Sequence, residues 1–125
     1  MSDQTNPGNW FEIPVHDLER AKQFYETVFG FQLSLNEMGP MKMAWFPMTQ
    51  EGSGAAGTLM KSEGYTPSHA GTLVYFSVTD IEGTLAKVNA NGGKTLKPKT
   101  GIGEHGYIAH FQDCEGNRVG LHSKT

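Results

Sequence analysis

The fold of this chain is indicated by a stretch of sequence that occurs twice. Residues 11–19 read FEIPVHDLE, and residues 74–82 read VYFSVTDIE. In both copies an apolar, β-prone run leads to an aspartate, and a helix-like stretch follows. The two aspartates, Asp17 and Asp80, lie about half the chain length apart. This repetition predicts a duplicated strand–helix unit, and we expect a functional site where the two copies meet.

The composition is that of an ordinary globular domain. With 125 residues, of which 37% are hydrophobic, the chain is long enough to bury a core as a single domain over residues 1–125. A net charge of −3 argues against nucleic-acid partners, and no apolar run is long enough for a membrane span. The single cysteine, Cys114, and an N-terminus unlike a signal peptide favour the cytoplasm.

The hydrophobic pattern predicts the order strand, helix and three strands, repeated once. Module one spans about residues 9–61, a linker with Gly, Pro and Ser follows at about 62–71, and module two spans about 72–123. Asp17 and Asp80 are expected to cap helices that end near Gly30 and Asn91. The predicted strands cover residues 10–15, 31–36, 41–48, 55–60, 72–78, 95–98, 107–112 and 117–122.

Several features of the sequence, in the same order along the chain, are similar to those of one known family. They are the half-length repeat, the V-x-D-[LI]-E junctions, the helix end from Phe24 to Gly30, and the D-x-E-G-N turn at residues 113–117. Over nearly the whole chain, the sequence resembles the glyoxalase/bleomycin-resistance/extradiol-dioxygenase group, also called the vicinal oxygen chelate superfamily. The resemblance implies an α+β fold in which tandem βαβββ modules form an eight-stranded, cup-like mixed sheet. It also implies a homodimer.

The resemblance further implies where a divalent metal would be bound. In metal-using members each module supplies ligands from its first and last strands, and the metal acts as a Lewis acid or activates oxygen. At the matching positions this chain has Trp10, Leu73 and Gly120, with Leu59 or Met60 in the fourth region. None of these residues binds a hard or borderline metal. We therefore predict no metal cofactor at the usual place.

A metal site displaced along the strands is the alternative. Side chains two residues apart share a strand face, so Glu12 and His122 lie on the faces of the ligand positions. Together with His110, these residues could hold Ni, Zn, Fe or Mn. The chain would then be a lyase or isomerase similar to lactoylglutathione lyase, or a dioxygenase.

Glu12 has two interpretations. It is either a strand residue paired with Arg118 or a lysine, or a carboxylate in the cup that binds a ligand or abstracts a proton. Burial beside Trp10 would raise the pKa of Glu12 and suit it to general-base catalysis. Glu12 is thus the one candidate catalytic residue.

The histidines leave similar alternatives open. The strand alternation of His110 places it either in the cup or on the outer face. His122 has either a structural role or a role in the site. His105, in a glycine-rich loop, belongs either to a lid over the cup or to a plain surface loop. His16 and His69 are expected to be solvated.

An apolar pocket is the main functional hypothesis. The methionines of module one either pack in the core or line an adaptable pocket, because thioethers fill irregular space. We expect a protein that binds a small apolar or aromatic molecule without a metal, while a regulatory domain without turnover is a third possibility. The expected pocket residues are Trp10, Glu12, Met43, Trp45, Met60, Leu73, Tyr75, His110, Arg118 and His122.

Overall fold

The chain folds in the predicted order of elements. In a computed structural model, which describes residues 6–49, 52 and 54–125, the helices are α1 (Leu18–Phe29) and α2 (Ile81–Ala90), and a short 3-10 helix covers Gly103–His105. None of these helices is long and apolar enough to cross a membrane. The strands are β1 (Trp10–Pro14), β2 (Ser34–Met38), β3 (Met41–Trp45), β4 (Ala56–Lys61), β5 (Tyr75–Ser77), β6 (Lys94–Gly101), β7 (Tyr107–Gln112) and β8 (Arg118–Ser123).

The helix boundaries follow from their caps. The carboxylate of Asp17 accepts a hydrogen bond from the backbone N–H of Arg20 at 3.1 Å, and that of Asp80 accepts one from Gly83 at 3.0 Å. These bonds satisfy amides that have no partner inside the helix. Gly30 ends α1 in the left-handed conformation, with φ of 79°, which glycine adopts without steric cost. The predicted caps are therefore confirmed.

The strands form two four-stranded sheets, ordered β1-β4-β3-β2 and β5-β8-β7-β6. In each sheet the first strand of the module lies parallel to the last, and the other pairs are antiparallel. The sheets approach each other through Phe11 and Phe76, whose ring centroids lie 5.7 Å apart. The predicted α+β fold with two βαβββ modules is confirmed, and its strands are divided between two sheets.

Some strand boundaries differ from the prediction. Strand β2 begins at Ser34 rather than at Phe31, because Phe31 stacks on Phe29 with centroids 5.5 Å apart and the chain enters the sheet only afterwards. Strand β6 runs for eight residues and continues through Pro98, whereas a four-residue strand was predicted. Because β6 is an edge strand, the N–H that Pro98 lacks is not needed there.

The core lies between the helices and the sheets. Helix α1 buries Ala21, Phe24, Tyr25 and Val28, whereas Leu18 is only half-buried. Helix α2, the strands and the residues directly next to the strands contribute the other buried apolar side chains of the same cluster, namely Ile13, Val15, Leu33, Ala44, Phe46, Leu59, Ile81, Leu85, Val88, Ala109, Phe111, Val119 and Leu121.

The turn between β7 and β8 joins the second module to the first. The buried carboxylate of Asp113 accepts a hydrogen bond from the hydroxyl of Tyr25 at 2.7 Å and from the backbone N–H groups of Glu115 and Asn117 at 2.8 and 2.9 Å. The side-chain amide of Asn117 donates to the carbonyl of Pro14 at 2.8 Å. These bonds hold the last hairpin against α1 and the end of β1 within one chain.

Glu115 makes the second set of bonds between the modules. Its buried carboxylate accepts from the backbone N–H groups of His16 and Asp17 and from the guanidinium of the exposed Arg20. Burial alone would raise the pKa of Glu115, but the hydrogen bonds from Arg20 and from the two amides outweigh it. The pKa of Glu115 therefore lies below its ordinary value.

We expect Glu115→Gln to lower the free energy of unfolding by about 1–2 kcal/mol at pH 7. The pKa of Glu115 is lower in the folded state than its ordinary value of 4.5, so the carboxylate stabilises the fold above that pH. This contribution is lost as the pH falls through the folded pKa. The difference between the two proteins in urea unfolding should therefore shrink below about pH 4.5.

The matched control for this experiment is Glu37→Gln, because Glu37 is exposed on the edge strand β2. Its effect on the unfolding free energy should be within about 0.5 kcal/mol at every pH. A Glu115→Gln difference that stays constant from pH 7 to pH 3 would contradict the assigned role of the carboxylate.

Candidate functional site

Each sheet turns one face toward the helices and the other face away from them. In the first sheet, Ile13 of β1 pairs with Leu59 of β4, and both are buried in the core. Neighbouring side chains of a strand point to opposite faces. Glu12, Thr58 and Trp45, which are aligned across β1, β4 and β3, therefore lie on the face away from the helices. We call this face of the two sheets the cup face.

The second sheet has the same arrangement. Phe111 and Val119 pair across β7 and β8 and are buried in the core. His110 pairs with Gly120, and Gly120 pairs with Tyr75 of β5. Because these residues alternate with the core residues, they lie on the cup face. The register thus decides the position of His110, which the sequence left open.

The first module presents an apolar surface on the cup face. Trp10 and Trp45 pack edge to face, with ring centroids 5.9 Å apart and ring planes at 83°. Met43 and Met60 pair across β3 and β4 and are 4% and 2% exposed, although neither belongs to the core cluster. The indole N–H of Trp45 donates to the sulfur of Met43 at 3.5 Å. We call these four residues the aromatic wall.

A cavity of about 400 Å³ lies next to the aromatic wall. It opens between β1, the start of β8 and the linker that follows β4. Trp10 lines it together with the charged residues Glu12 and Arg118, and Thr66 and Ser68 of the linker form part of the opposite side. A cavity therefore lies between the two modules, where the sequence repeat predicts a functional site.

The linker bonds both modules through its backbone and its side chains. The backbone N–H of Ser68 donates to the side-chain oxygen of Asn117, and the Ser68 carbonyl accepts from the backbone N–H of Arg118, both at 3.2 Å. The hydroxyl of Tyr65 donates to the carboxylate of Glu12 at 2.8 Å, and this bond raises the pKa of Tyr65. The imidazole of His69 bonds the side-chain oxygen of Gln112 at 2.8 Å. Glu12 is exposed, and its carboxylate bonds Tyr65, a partner that neither interpretation of Glu12 from the sequence included.

Three polar side chains of the second module form a connected cluster on the cup face. The guanidinium of Arg118 donates to Nδ1 of His110, with Nε at 3.1 Å and Nη2 at 2.8 Å. The hydroxyl of Tyr75 bonds Nε2 of the same ring at 2.7 Å. Burial lowers the pKa of His110, and the positive charges of Arg118 and Lys97 lower it further. His110 is therefore neutral at pH 7.

The Tyr75 ring occupies the space where a side chain at position 120 would lie. A Cβ atom added to Gly120 would be 2.5 Å from Cδ2 and 2.6 Å from Cε2 of Tyr75. Carbon atoms do not approach so closely without a collision. The absence of a side chain at Gly120 thus lets the ring of Tyr75 lie across β8 and reach His110.

The residues present do not fit the usual metal of this fold. Gly120 has no side chain, Trp10 packs on another indole, and Leu59 lies in the core. Leu73 precedes β5, which begins at Tyr75 instead of Thr72. None of the side chains matched to the ligand positions supplies a donor for a hard or borderline metal.

The three residues of the displaced metal site each bond another partner. Glu12 bonds Tyr65, His110 bonds Arg118 and Tyr75, and Nε2 of His122 donates to the backbone carbonyl of His105 at 2.7 Å. Within residues 6–49, 52 and 54–125, no three His, Cys, Asp or Glu side chains are grouped as metal ligands would be. His122 instead attaches β8 to the exposed loop that contains His105.

The lone thiol has no part in the site. Cys114 lies half-buried in the turn between β7 and β8, away from the cup face. Burial raises the pKa of Cys114 to about 12, and the carboxylates of Asp113 and Glu115 add to the effect. The thiol is protonated at neutral pH and is therefore a poor nucleophile.

Apart from Leu73, every residue predicted for the pocket lies on the cup face, as the strand registers show. His16 and His69 are exposed, as expected. Sequence reasoning missed Tyr65 and Gln112, which bond Glu12 and His69. The aromatic ring of Tyr65 in an otherwise small and polar linker is the signal that could have drawn attention to it.

The chain belongs to the Glyoxalase/Bleomycin resistance protein/Dioxygenase superfamily, whose model matches residues 9–121. This match covers both modules and the cup face. The family that the sequence resembles is therefore confirmed.

Individual relatives agree with this assignment. A Glyoxylase-like domain-containing protein of Didymella fabae is 36% identical over 110 residues, which cover 85% of this chain and 84% of that protein. A glyoxylase/bleomycin resistance protein/dioxygenase domain from Frankia sp. EAN1pec superposes with a TM-score of 0.74 at 14% identity, covering 98% of this chain and all of that one. Glyoxalase I from Zea mays gives a TM-score of 0.66 at 22% identity over 92% of this chain, which spans only 45% of the maize enzyme.

Proposed function

We propose that this protein binds a small apolar or aromatic molecule on the cup face, without the divalent metal that other members of the superfamily use. The observation that carries the proposal is the aromatic wall beside the cavity of about 400 Å³. This volume is in the range of small-molecule pockets.

The aromatic wall has the properties of a ligand surface. The ring of Trp10 is 39% exposed even though it lies next to Trp45, so part of its surface is free for contact. Aromatic rings that pack together gain about 0.5–1.5 kcal/mol beyond the burial of their area. Met43 and Met60 are nearly buried behind this surface. Met43 accepts the indole N–H of Trp45, and flexible thioethers can rearrange when a ligand packs on the indoles.

The second module supports binding without a metal. Tyr75 occupies the space at position 120, and its hydroxyl bonds Nε2 of His110 at 2.7 Å. An organic ligand there would meet hydrogen-bonding side chains in place of an open coordination position. The proposal therefore assigns recognition to side chains of the chain itself.

We expect naphthalene to shift both indole N–H signals in the NMR spectrum of the ¹⁵N-labelled protein. The chain contains two tryptophans, Trp10 and Trp45, and both belong to the aromatic wall, so the two signals report directly on the site. Trp10→Ala should weaken naphthalene binding by about tenfold, because the variant removes one of the two rings. The remaining indole signal measures the binding of naphthalene to this variant.

Tyr107→Ala is the matched control, because Tyr107 is 37% exposed but lies outside the cup face. It should leave the affinity within about twofold. Unshifted indole signals at saturating naphthalene would refute the binding surface.

Metal analysis of the untagged protein tests the other half of the proposal, which is binding without a metal. Stoichiometric Ni, Zn, Fe or Mn that is lost in Glu12→Ala or His122→Ala would overturn it.

A further inference from the structure

We propose that the hydroxyl of Tyr75 is a hydrogen-bond donor that recognises a carboxylate on the aromatic ligand, with His110 and Arg118 as its positioning residues. This inference rests on the proposed function and adds the chemical class of the ligand: an aromatic acid. It follows from the direction of the hydrogen bonds, the charge near them and their place beside the aromatic wall.

The direction of the hydrogen bonds is fixed by Arg118. A guanidinium can only donate, and two of its nitrogens point to Nδ1 of His110. Nδ1 must therefore be unprotonated, and the neutral ring carries its proton on Nε2. The Nε2–H group then donates to the oxygen of Tyr75 at 2.7 Å. The hydroxyl proton of Tyr75 is left free to donate to a ligand.

The charge around this donor favours an anion. The guanidinium of Arg118 donates its hydrogen bonds to a neutral imidazole. The ion pairs found among the described residues are Arg20–Glu115 and Lys22–Glu26, and neither includes Arg118. Lys97 lies beside His110 in the ladder between β6 and β7. The carboxylate of Glu12 is on the other sheet, where it accepts from Tyr65. A ligand carboxylate would thus bring the negative charge that this side of the site lacks.

One cavity is bordered by a member of the aromatic wall and by residues next to the donor. The cavity is lined by Trp10 from the first module and by Arg118 from the second. Phe11 of β1 and Phe76 of β5 pack against each other on the core side, with ring centroids 5.7 Å apart. Trp10 and Tyr75 each precede one of these residues and project to the cup face. A ring against Trp10 would therefore present its carboxylate toward Tyr75 and Arg118.

The test compares 2-naphthoate with naphthalene, two probes that share a ring system and differ in the carboxylate. Tyr75→Phe keeps the ring over Gly120 and removes only the hydroxyl. We expect this variant to bind 2-naphthoate about tenfold to a hundredfold more weakly, because a hydrogen bond to a charged group is lost. Naphthalene should bind both proteins within twofold, and the control Tyr107→Phe should change neither affinity.

A measurement without ligand tests the positioning residues. The ¹⁵N shifts of the His110 ring should show a single tautomer protonated at Nε2. In Arg118→Ala these shifts should show a mixture of the two tautomers, and the binding of 2-naphthoate should be weaker. A role of Arg118 in folding alone would leave the tautomer unchanged.

The outcomes separate the two proposals. If neither probe shifts the indole signals of the unaltered protein, the proposed function fails and this inference fails with it. If both probes bind, and Tyr75→Phe weakens the binding of the two probes equally or not at all, only the inference is overturned. A His110 ring protonated at Nδ1 overturns it as well, whatever the probes do.

Discussion

Replacing Asp113 by alanine should lower the free energy of unfolding by about 3–5 kcal/mol, because several buried donors lose their acceptor at a cost of about 1–3 kcal/mol each. The carboxylate of Asp113 is fully buried and accepts hydrogen bonds from Tyr25, from the side chain of Asn117 and from two backbone N–H groups of its own turn. Its removal leaves these donors without acceptors in the dry interior.

The loss also weakens the connection between the modules. The hydroxyl of Tyr25 belongs to helix α1, and the same asparagine that bonds Asp113 also bonds the end of β1. Burial raises the pKa of Tyr25 well above its usual value, and the negative charge of Asp113 raises it further. Without the carboxylate, the phenol would remain protonated but unpaired, which is the costly state for a buried donor.

Guanidinium unfolding followed by circular dichroism measures this effect. Asp80→Ala is a suitable control, because Asp80 is an exposed helix cap and its loss should cost about 1 kcal/mol. If Asp113→Ala were no more destabilising than Asp80→Ala, the hydrogen bonds of the turn would contribute little to the union of the modules.

The second large effect is expected at Gly120. The variant Gly120→Ala should cost about 2–3 kcal/mol, because the new Cβ meets the Tyr75 ring at 2.5 Å and the ring must leave its position. Gly120 itself is buried in the strand β8, which has a neighbour on each side. The backbone is therefore held, and the adjustment falls on Tyr75.

A double-mutant cycle isolates this collision. In the background Tyr75→Ala, the substitution Gly120→Ala should cost less than about 1 kcal/mol, since the space is then free. Thermal unfolding of the four proteins gives the coupling between the two positions. Equal costs in both backgrounds would show that the ring does not occupy the space at position 120.

Local patterns in the sequence were enough to predict the elements of the fold. Asp17 and Asp80 predicted both helix starts, because capping depends on residues within one turn. The strand alternation predicted which residues share the face of Glu12. The length of β6 was missed, since Pro98 is tolerated only because its strand lies at the edge of the sheet, which is a property of the whole sheet.

The site depended more strongly on long-range contacts. His110 could not be assigned to a face until its pairing with Gly120 and Tyr75 was known. The partner of Glu12 is Tyr65, a linker residue 53 positions away with no periodic pattern around it. The missing ligand at position 120 was visible in the sequence, but the Tyr75 ring that fills its place was not.

The attachment of the linker has a consequence for the kinetics of binding. Tyr65 holds the first part of the linker to β1 through one exposed hydrogen bond, whereas Ser68 is bound through its backbone N–H and its carbonyl to Asn117 and Arg118. Freeing Tyr65 from β1 therefore breaks one side-chain hydrogen bond, whereas separating the modules breaks the several hydrogen bonds of Asp113 and Glu115. Entry and escape of a ligand would be governed by a short segment of backbone, while the two sheets remain a fixed template.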